Sequence, residues 1–291
     1  MKIAVASGKG GTGKTLVSTN LFNVIQKSGF AVDLIDCDAE EPNALQFIHA
    51  DLISQKSVTQ NIPVIDKEAC TFCGKCEAYC HYNAIVVLPK LRHIQVVEDL
   101  CHDCGACEYA CPAGAISWKS KTTGTIRTYA VNNGSSLIEG RIEIGVYSSV
   151  PLIKEVMKSS HHRQLAIVDA PPGTSCPFIA TVSAADFMVL VTEPTPFGLN
   201  DLKLSVEILQ QLDKSFGIIV NRAGLGDHRV YDFIAKNKLL LLDEIPFDPR
   251  IAKSYSEGKL ITDNMPNYHK HFLQLFSRIK KHLQYDRNSY T

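Results

Sequence analysis

The run Ser7-Gly8-Lys9-Gly10-Gly11-Thr12-Gly13-Lys14-Thr15 follows an apolar stretch, Ile3 to Ala6, and leads into Leu16, Leu21, Val24 and Ile25 at near-helical spacing up to Lys27. It fits G-x-x-x-x-G-K-[ST] between a strand and a helix, a context that leaves few folds open. The glycines let the backbone curl so that successive N–H groups face one point, and the helix start adds its positive dipole end. Such a loop cradles phosphates. Lys14 is expected to reach the β- and γ-phosphates of a nucleotide and the Thr15 hydroxyl to sit on Mg²⁺. Gly8, Lys9, Gly10, Gly11, Thr12, Gly13, Lys14, Thr15 and Leu16 together form the expected nucleotide-binding segment. A chance glycine-rich turn would leave the flanking strand and helix unexplained.

The rest of the chain keeps an α/β rhythm outside one region. Ala31 to Ile35 reads as a buried strand running into Asp36-Cys37-Asp38-Ala39-Glu40-Glu41-Pro42-Asn43. Parallel strands deliver their carboxyl ends to the ligand crevice, so these acids are expected beside the phosphates. Asp38 is the candidate for chemistry, and Asp36 is expected to hold the loop by hydrogen bonds; acids after a strand also serve simply as turn formers. Gln164 to Asp169 is a second such strand, with Asp169 expected to hold Mg²⁺ through water. Phe187–Val191, Gly217–Val220 and Leu239–Leu242 read as strands and Gly198–Leu212 as a helix. The fold class is α/β, a P-loop fold with a mostly parallel sheet flanked by helices.

The chain has 291 residues, 45% of them hydrophobic, enough for one α/β domain with an insertion. Thirty basic against thirty acidic residues remove the whole-protein attraction of a nonspecific nucleic-acid binder. No apolar run approaches the ~20 residues that span a bilayer, and a cytoplasmic location is expected. Ten cysteines in such a chain point to thiolate chemistry rather than disulfides.

Eight of those ten cysteines fall in two groups between residues 61 and 120, where the α/β rhythm stops. Cys70, Cys73, Cys76 and Cys80 are spaced C-x2-C-x2-C-x3-C, and Cys101, Cys104, Cys107 and Cys111 repeat the spacing, followed by Pro112. This is the bacterial ferredoxin run given twice, in which the fourth cysteine ligates the other cluster. Cys70, Cys73, Cys76 and Cys111 are therefore expected to hold one [4Fe-4S] cluster, and Cys101, Cys104, Cys107 and Cys80 the second. Zinc knuckles are the alternative, but zinc needs four thiolates at one point and each triplet offers three in a row. Gly74 and Gly105 occupy matched places, and Asn83-Ala84-Ile85 is echoed by Gly114-Ala115-Ile116. His81 stands where the pattern usually has proline, so a titratable ring adjoins one cluster. Tyr79 and Tyr109 are expected to cover the clusters as apolar neighbours. Lys119 to Gly124 reads as a polar link, Ile126–Val131 and Ile142–Val146 as strands about an Asn132-Asn133-Gly134 turn, and His161-His162 as loop.

Gly-Lys-Gly-Gly-x-Gly-Lys-Thr resembles the deviant Walker A loop of the MinD, ParA, Mrp and nitrogenase iron protein ATPases. In that family the first lysine reaches the partner's nucleotide, so the resemblance implies catalytic roles for Lys9, Lys14 and Asp38 in an ATP-sandwich homodimer. Read residue by residue, it implies that Asp38 orients the attacking water and touches the Mg²⁺ shell with Thr15 and Asp169, and that Asn221 reads adenine, with Ile245-Pro246-Phe247 near the base. Asp169-Ala170-Pro171-Pro172-Gly173-Thr174 resembles the D-x-P-P-G-T segment of Mrp-type ATPases. Cys176 stands where the iron protein has a cluster-ligating cysteine; it is either a third-cluster ligand at the dimer interface or a small buried apolar residue. Cys37 is expected to be buried. Phe272, Leu273, Phe276, Ile279 and Leu283 form an apolar stripe beside Arg278, Lys280 and Lys281. It is either a domain-closing helix or a basic membrane anchor of the MinD kind, with the first preferred.

The chain thus looks like a MinD/Mrp-type P-loop ATPase (1–60 and 121–291) with a two-cluster ferredoxin domain (61–120) inserted after the second strand. The expected cofactors are ATP, Mg²⁺ and two [4Fe-4S] clusters. The expected function couples an ATP-driven dimer cycle to electron transfer to a redox partner. The alternative is an ATP-dependent carrier that serves an apo-metalloprotein in cluster or metallocofactor assembly, and a positioning ATPase is disfavoured.

Overall fold

Short, unbroken apolar segments separated by amphipathic ones build a sheet buried on both faces. The computed structural model describes residues 1–160 and 165–289, so the His161-His162 pair lies outside the described residues. In chain order the strands are β1 (Lys2–Ala6), β2 (Asp33–Asp36), β3 (Asp51–Ile65), β4 (Ile85–Leu88), β5 (His93–Val96), β6 (Ile116–Ala130), β7 (Ser136–Ile142), β8 (Ala166–Asp169), β9 (Phe187–Thr192), β10 (Phe216–Ala223) and β11 (Leu241–Pro246). The helices are α1 (Lys14–Lys27), α2 (Lys75–Ala78), α3 (Ala106–Tyr109), α4 (Val150–Lys158), α5 (Cys176–Ser183), α6 (Pro196–Gln211), α7 (Arg229–Lys236), α8 (Pro249–Ser256), α9 (Ile261–Asn264) and α10 (Pro266–Ser289).

The main sheet runs β11-β10-β9-β1-β8-β2-β7-β6-β3. It is parallel from β11 to β7, and β6 and β3 continue it antiparallel. Alternate residues of each strand face opposite cores. Ile3, Val5, Leu34, Ile167 and Val189 pack under α1 and α10, whereas Ala4, Ile35, Val168, Met188 and Leu190 pack under α4 to α7. The ladder sets the acids: β2 and β8 are in register Asp36↔Asp169, so both carboxylates reach the sheet's carboxyl edge beside the end of β1.

Helix α10 closes this domain. Phe272, Phe276, Ile279 and Leu283 are buried in the core that α1 also faces, with Leu273 packed against it. The stripe is therefore occupied by the protein's own core, as the domain-closing reading requires. Among the described residues no helix is long and apolar enough to cross a membrane.

Two sequence expectations change. Lys119–Gly124 is strand, because β3 and β6 pair from Asp51↔Ala130 to Ile65↔Ile116, with register shifts at Leu52/Ser54 and Val58/Thr59, and form one long two-stranded arm. Exposed threonines and lysines satisfy such a ribbon without an apolar signature. Ile142–Val146 is not a strand: β7 ends at Ile142, and Val146 N–H turns back to Glu143 O at 3.2 Å beside Gly145, whose φ is 84°. At the far end of the arm the cysteine-bearing segment folds on itself. Phe72, Ile85, Val87, Ile94 and Ile116 enclose Cys76 and Cys107 in a separate apolar cluster, and β4 pairs with β5.

Candidate functional site

The first site lies where β1 turns into α1. Gly13 precedes the helix at φ 101°, the left-handed region, and a Cβ there would meet Asn221 Nδ2 at 2.4 Å. The loop is braced from outside: Asn221 Nδ2 donates to Thr12 O at 2.7 Å, and Gly173 N–H donates to Ser7 O at 3.1 Å. Asn221 Oδ1 accepts from Arg222 N–H at 2.9 Å. Asn221, expected to read adenine, is thus held on the phosphate loop itself while lining the same cavity.

That cavity, about 390 Å³, is lined by Gly10, Gly11, Gly13, Lys14, Thr15 and Leu16 of the phosphate loop and by Asp38. Asn221, Arg222 and Tyr255 line it against that loop, and Pro246, Phe247 and Ile251 give it an apolar wall. The structure therefore brings together the phosphate loop, Asp38 and Pro246, residues from three distant parts of the chain. Its polar lining suits phosphates and its apolar wall a base.

Asp36 and Asp38 have separate duties. The buried Asp36 carboxylate accepts from the N–H groups of Asp38 (3.1 Å), Asn43 (2.9 Å) and Ala44 (3.0 Å), which shapes the loop carrying Asp38. Burial, then the charge of Asp169, pushes the Asp36 carboxyl up to about 8. Asp38 is half-buried; burial raises its carboxyl above the ordinary range while the Lys14 ammonium opposes the rise.

Asp169 Oδ2 accepts from the Thr15 hydroxyl at 2.7 Å, while its buried Oδ1 has no hydrogen-bond partner among the described residues. Burial pushes this carboxyl up to about 6, against the Thr15 hydrogen bond and the Lys14 charge. A buried carboxylate oxygen left open beside a threonine hydroxyl fits a divalent cation, whose charge would reverse the cost of burial.

Three residues at this site escaped the sequence reading. Glu193, at the end of β9, is buried and takes Lys9 Nζ at 2.7 Å and Arg222 Nη1 at 2.7 Å. Arg222 also donates to Gly11 O at 3.3 Å. Tyr255 of α8 turns its hydroxyl toward Thr15 and packs its ring 4.7 Å from Phe47. Local patterns hold no cue to Arg222 or Tyr255; for Glu193 the cue is a β-strand ending in an acid, Thr192-Glu193.

The second site is the cysteine-bearing segment. Its two halves repeat in conformation as well as in sequence: Phe72 and Asp103, Gly74 and Gly105, and Asn83 and Gly114 form matched pairs, all with positive φ. Ala84 N–H points at Cys80 Sγ (3.2 Å) and Ala115 N–H at Cys111 Sγ (3.4 Å), again in matched places. One cavity is lined by Cys101, Cys104 and Cys107 together with Cys80 of the other run. Correspondingly, Cys76 lies within reach of the charges of Cys70 and Cys111, and Cys101 of those of Cys104 and Cys80. Among the described residues no three His, Cys, Asp or Glu side chains gather closely enough for a single metal ion.

Several expectations about neighbours are revised. Tyr79 and Tyr109 are 60% and 90% exposed, so they do not cover the cysteines; Tyr79 just follows α2 and Tyr109 ends α3, where both point outward. Cys176 opens α5 as an exposed residue, which overturns its reading as a buried apolar one. Cys37 is buried, its sulfur 3.6 Å from that of Met157.

Comparison with known proteins follows the same lines. The chain is 32% identical over 279 residues to the uncharacterized protein MJ0579 of Methanocaldococcus jannaschii, covering 92% of this chain and 94% of that one. It is 23% identical over 296 residues to a cytosolic Fe-S cluster assembly factor Nubp2 homolog of Aedes aegypti, covering 91% and 90%. Its fold is similar to that of the septum site-determining protein MinD of Pyrococcus horikoshii, solved with Mg-ADP, at a TM-score of 0.59 and 20% identity over 96% of each chain. Residues 3–261 match the CobQ/CobB/MinD/ParA nucleotide binding domain, and the chain belongs to this family of P-loop ATPases.

Proposed function

We propose that this protein is a Mg²⁺-dependent ATPase in which a nucleotide-driven homodimer cycle is coupled to electron transfer through two [4Fe-4S] clusters held by an inserted ferredoxin domain. The observation that carries the reading is the cavity lined by Cys101, Cys104 and Cys107 with Cys80 from the other run. A crossed fourth ligand is the arrangement of a two-cluster ferredoxin, and among the described residues no three of these side chains gather closely enough for the single ion of a zinc knuckle. Cys70, Cys73, Cys76 and Cys111 would hold the first cluster and Cys80, Cys101, Cys104 and Cys107 the second. Bound there, the clusters supply one-electron redox chemistry.

The chain's own residues perform the nucleotide half. Thr15 and Asp169 would hold Mg²⁺, and Lys14 neutralises phosphate charge between Asp38 and Asp169. Asp38, presented by the Asp36-shaped loop, positions the attacking water. Lys9 acts across the dimer.

The two halves are joined by ordinary hydrogen bonds. Ala39, next to Asp38, accepts from Ile142 N–H at 3.0 Å, and Glu143 N–H donates to Thr123 O of the arm at 3.0 Å. Further out on the arm, Asn61 N–H donates to Asp103 Oδ2 at 2.9 Å, and Gln60 donates to Cys101 O. A shift of the Asp38 loop therefore has a continuous route to the second cysteine set.

A carrier role in cluster assembly is the second reading, favoured by the name of the Aedes relative. To separate the two, the purified protein is reduced and mixed with a candidate partner with and without ATP, and electrons and iron are followed. Electrons leaving with iron retained support the donor; iron arriving in the partner supports the carrier. Fewer than two cubanes per chain in the spectrum, or ATP turnover indifferent to whether the clusters are oxidised, reduced or stripped, would overturn the coupling.

A further inference from the structure

Glu193 is a buried carboxylate between two cations. Its Oε1 lies 2.7 Å from Lys9 Nζ and its Oε2 2.7 Å from Arg222 Nη1, with side-chain exposures of 8% for the acid, 34% for Lys9 and 49% for Arg222. The arginine is placed at a conformational cost. Arg222 sits at φ 54°, in the left-handed region, and the β10–β11 pairing slips between Asn221 and Ala223. The slip carries its guanidinium over the phosphate loop, where it also bonds Gly11 O at 3.3 Å and lines the nucleotide cavity. A strained, bulged position for a charged residue marks a functional constraint.

We infer that Glu193 is the resting dock of Lys9, and that Arg222 keeps Glu193 paired when Lys9 leaves to act across the dimer. This rests on the reading of Lys9 as a cross-dimer group. A buried carboxylate stripped of its only cation is strongly destabilised. With one partner, Glu193 would therefore trap Lys9; with two, the lysine is free to swing on its flexible stem while the rigid guanidinium fork stays. Arg222 is a positioning residue acting through Glu193, and the pair sets how readily the dimer closes.

The test has two arms. In the nucleotide-free protein, the rate of lysine-directed reductive methylation at Lys9 is read by mass spectrometry. Glu193→Gln is expected to raise it about fivefold, and Arg222→Gln to lower it, because Lys9 then becomes the sole partner of the acid. A cooperative thermal melt followed by circular dichroism confirms that each variant is folded. An unchanged rate at Lys9 in Glu193→Gln overturns the docking.

In the second arm, dimer formation with a non-hydrolysed ATP analogue is followed by sedimentation against protein concentration. Arg222→Gln is expected to raise the midpoint about tenfold, and the shift is expected to vanish in the Glu193→Gln/Arg222→Gln double variant. A shift that persists in the double variant shows Arg222 acting on the nucleotide directly and sinks the inference. If the unaltered protein stays monomeric with the analogue, the dimer reading fails by itself, while the methylation arm still decides whether Glu193 docks Lys9.

Discussion

Replacing Gly13 by alanine separates the two demands that the phosphate loop makes on this position. The backbone there has φ 101°, which costs an L-residue about 1–2 kcal/mol. The new Cβ would also lie 2.4 Å from Asn221 Nδ2, so the Asn221 side chain must move and its 2.7 Å bond to the buried Thr12 carbonyl is lost. An orphaned buried carbonyl adds about 1–3 kcal/mol. The expected loss is therefore about 2–5 kcal/mol, or roughly 5–15 °C in the melting temperature of the nucleotide-free protein. Gly10→Ala in the same loop is the control. Gly10 has no positive φ, and a Cβ there meets nothing within 4 Å, so its melting temperature should barely move. Asn221→Ala removes the obstruction in advance, so the double variant Gly13→Ala/Asn221→Ala should lose about 1–2 kcal/mol less than the sum of the singles. Equal effects of Gly10→Ala and Gly13→Ala, or additivity in the double variant, would refute the geometry argued for this loop.

Cys111→Ser is expected to remove about half of the iron and labile sulfide. Adding Cys76→Ser should lose no more, whereas adding Cys107→Ser should empty both sites; the reverse pattern refutes the crossed ligation. Burial pushes the Asp169 carboxyl up to about 6, so protons compete with Mg²⁺ below that value. Mg²⁺ affinity of the nucleotide complex should then fall about tenfold per pH unit as pH drops further, a dependence that Asp169→Asn should abolish. Burial and the charge of Asp169 lift Asp36 from 3.8 to about 8 in the folded state. The native protein then holds a proton that the unfolded chain has released, so this group makes stability fall as pH rises between those values. Melts of the nucleotide-free Asp36→Asn protein should lack the slope between about 6 and 8, above the value to which Asp169 is raised.

Much was legible because the chemistry at stake is encoded in short runs. A glycine-rich loop after an apolar strand, and three cysteines two residues apart with a fourth three further on, specify backbone shape by their own spacing. The same holds for strands that end in Asp36 and Asp169, since parallel strands present their ends to one edge. Local reading failed where side-chain direction depends on neighbours: Tyr79, Tyr109 and Cys176 are exposed because of how their helices sit. The stripe from Phe272 to Leu283 was ambiguous for the same reason, since the same periodicity suits a core or a membrane, and only packing under α1 chose between them.

The phosphate loop, the two cysteine runs and the acids at the strand ends can be read from contiguous residues, because each is a local pattern whose function follows from its own geometry. Folding was needed to set Lys9 on Glu193, to make Arg222 share that acid, to brace the loop at Thr12 with Asn221, and to fasten the Cys101–Asp103 turn to the arm. Those contacts join residues up to 211 positions apart. Separations of that size carry no periodicity, so no window of sequence contains them. Those at the phosphate loop exist because β9 stands beside β1 and β10 beside β9 in the folded sheet, a proximity created by burying apolar strands together.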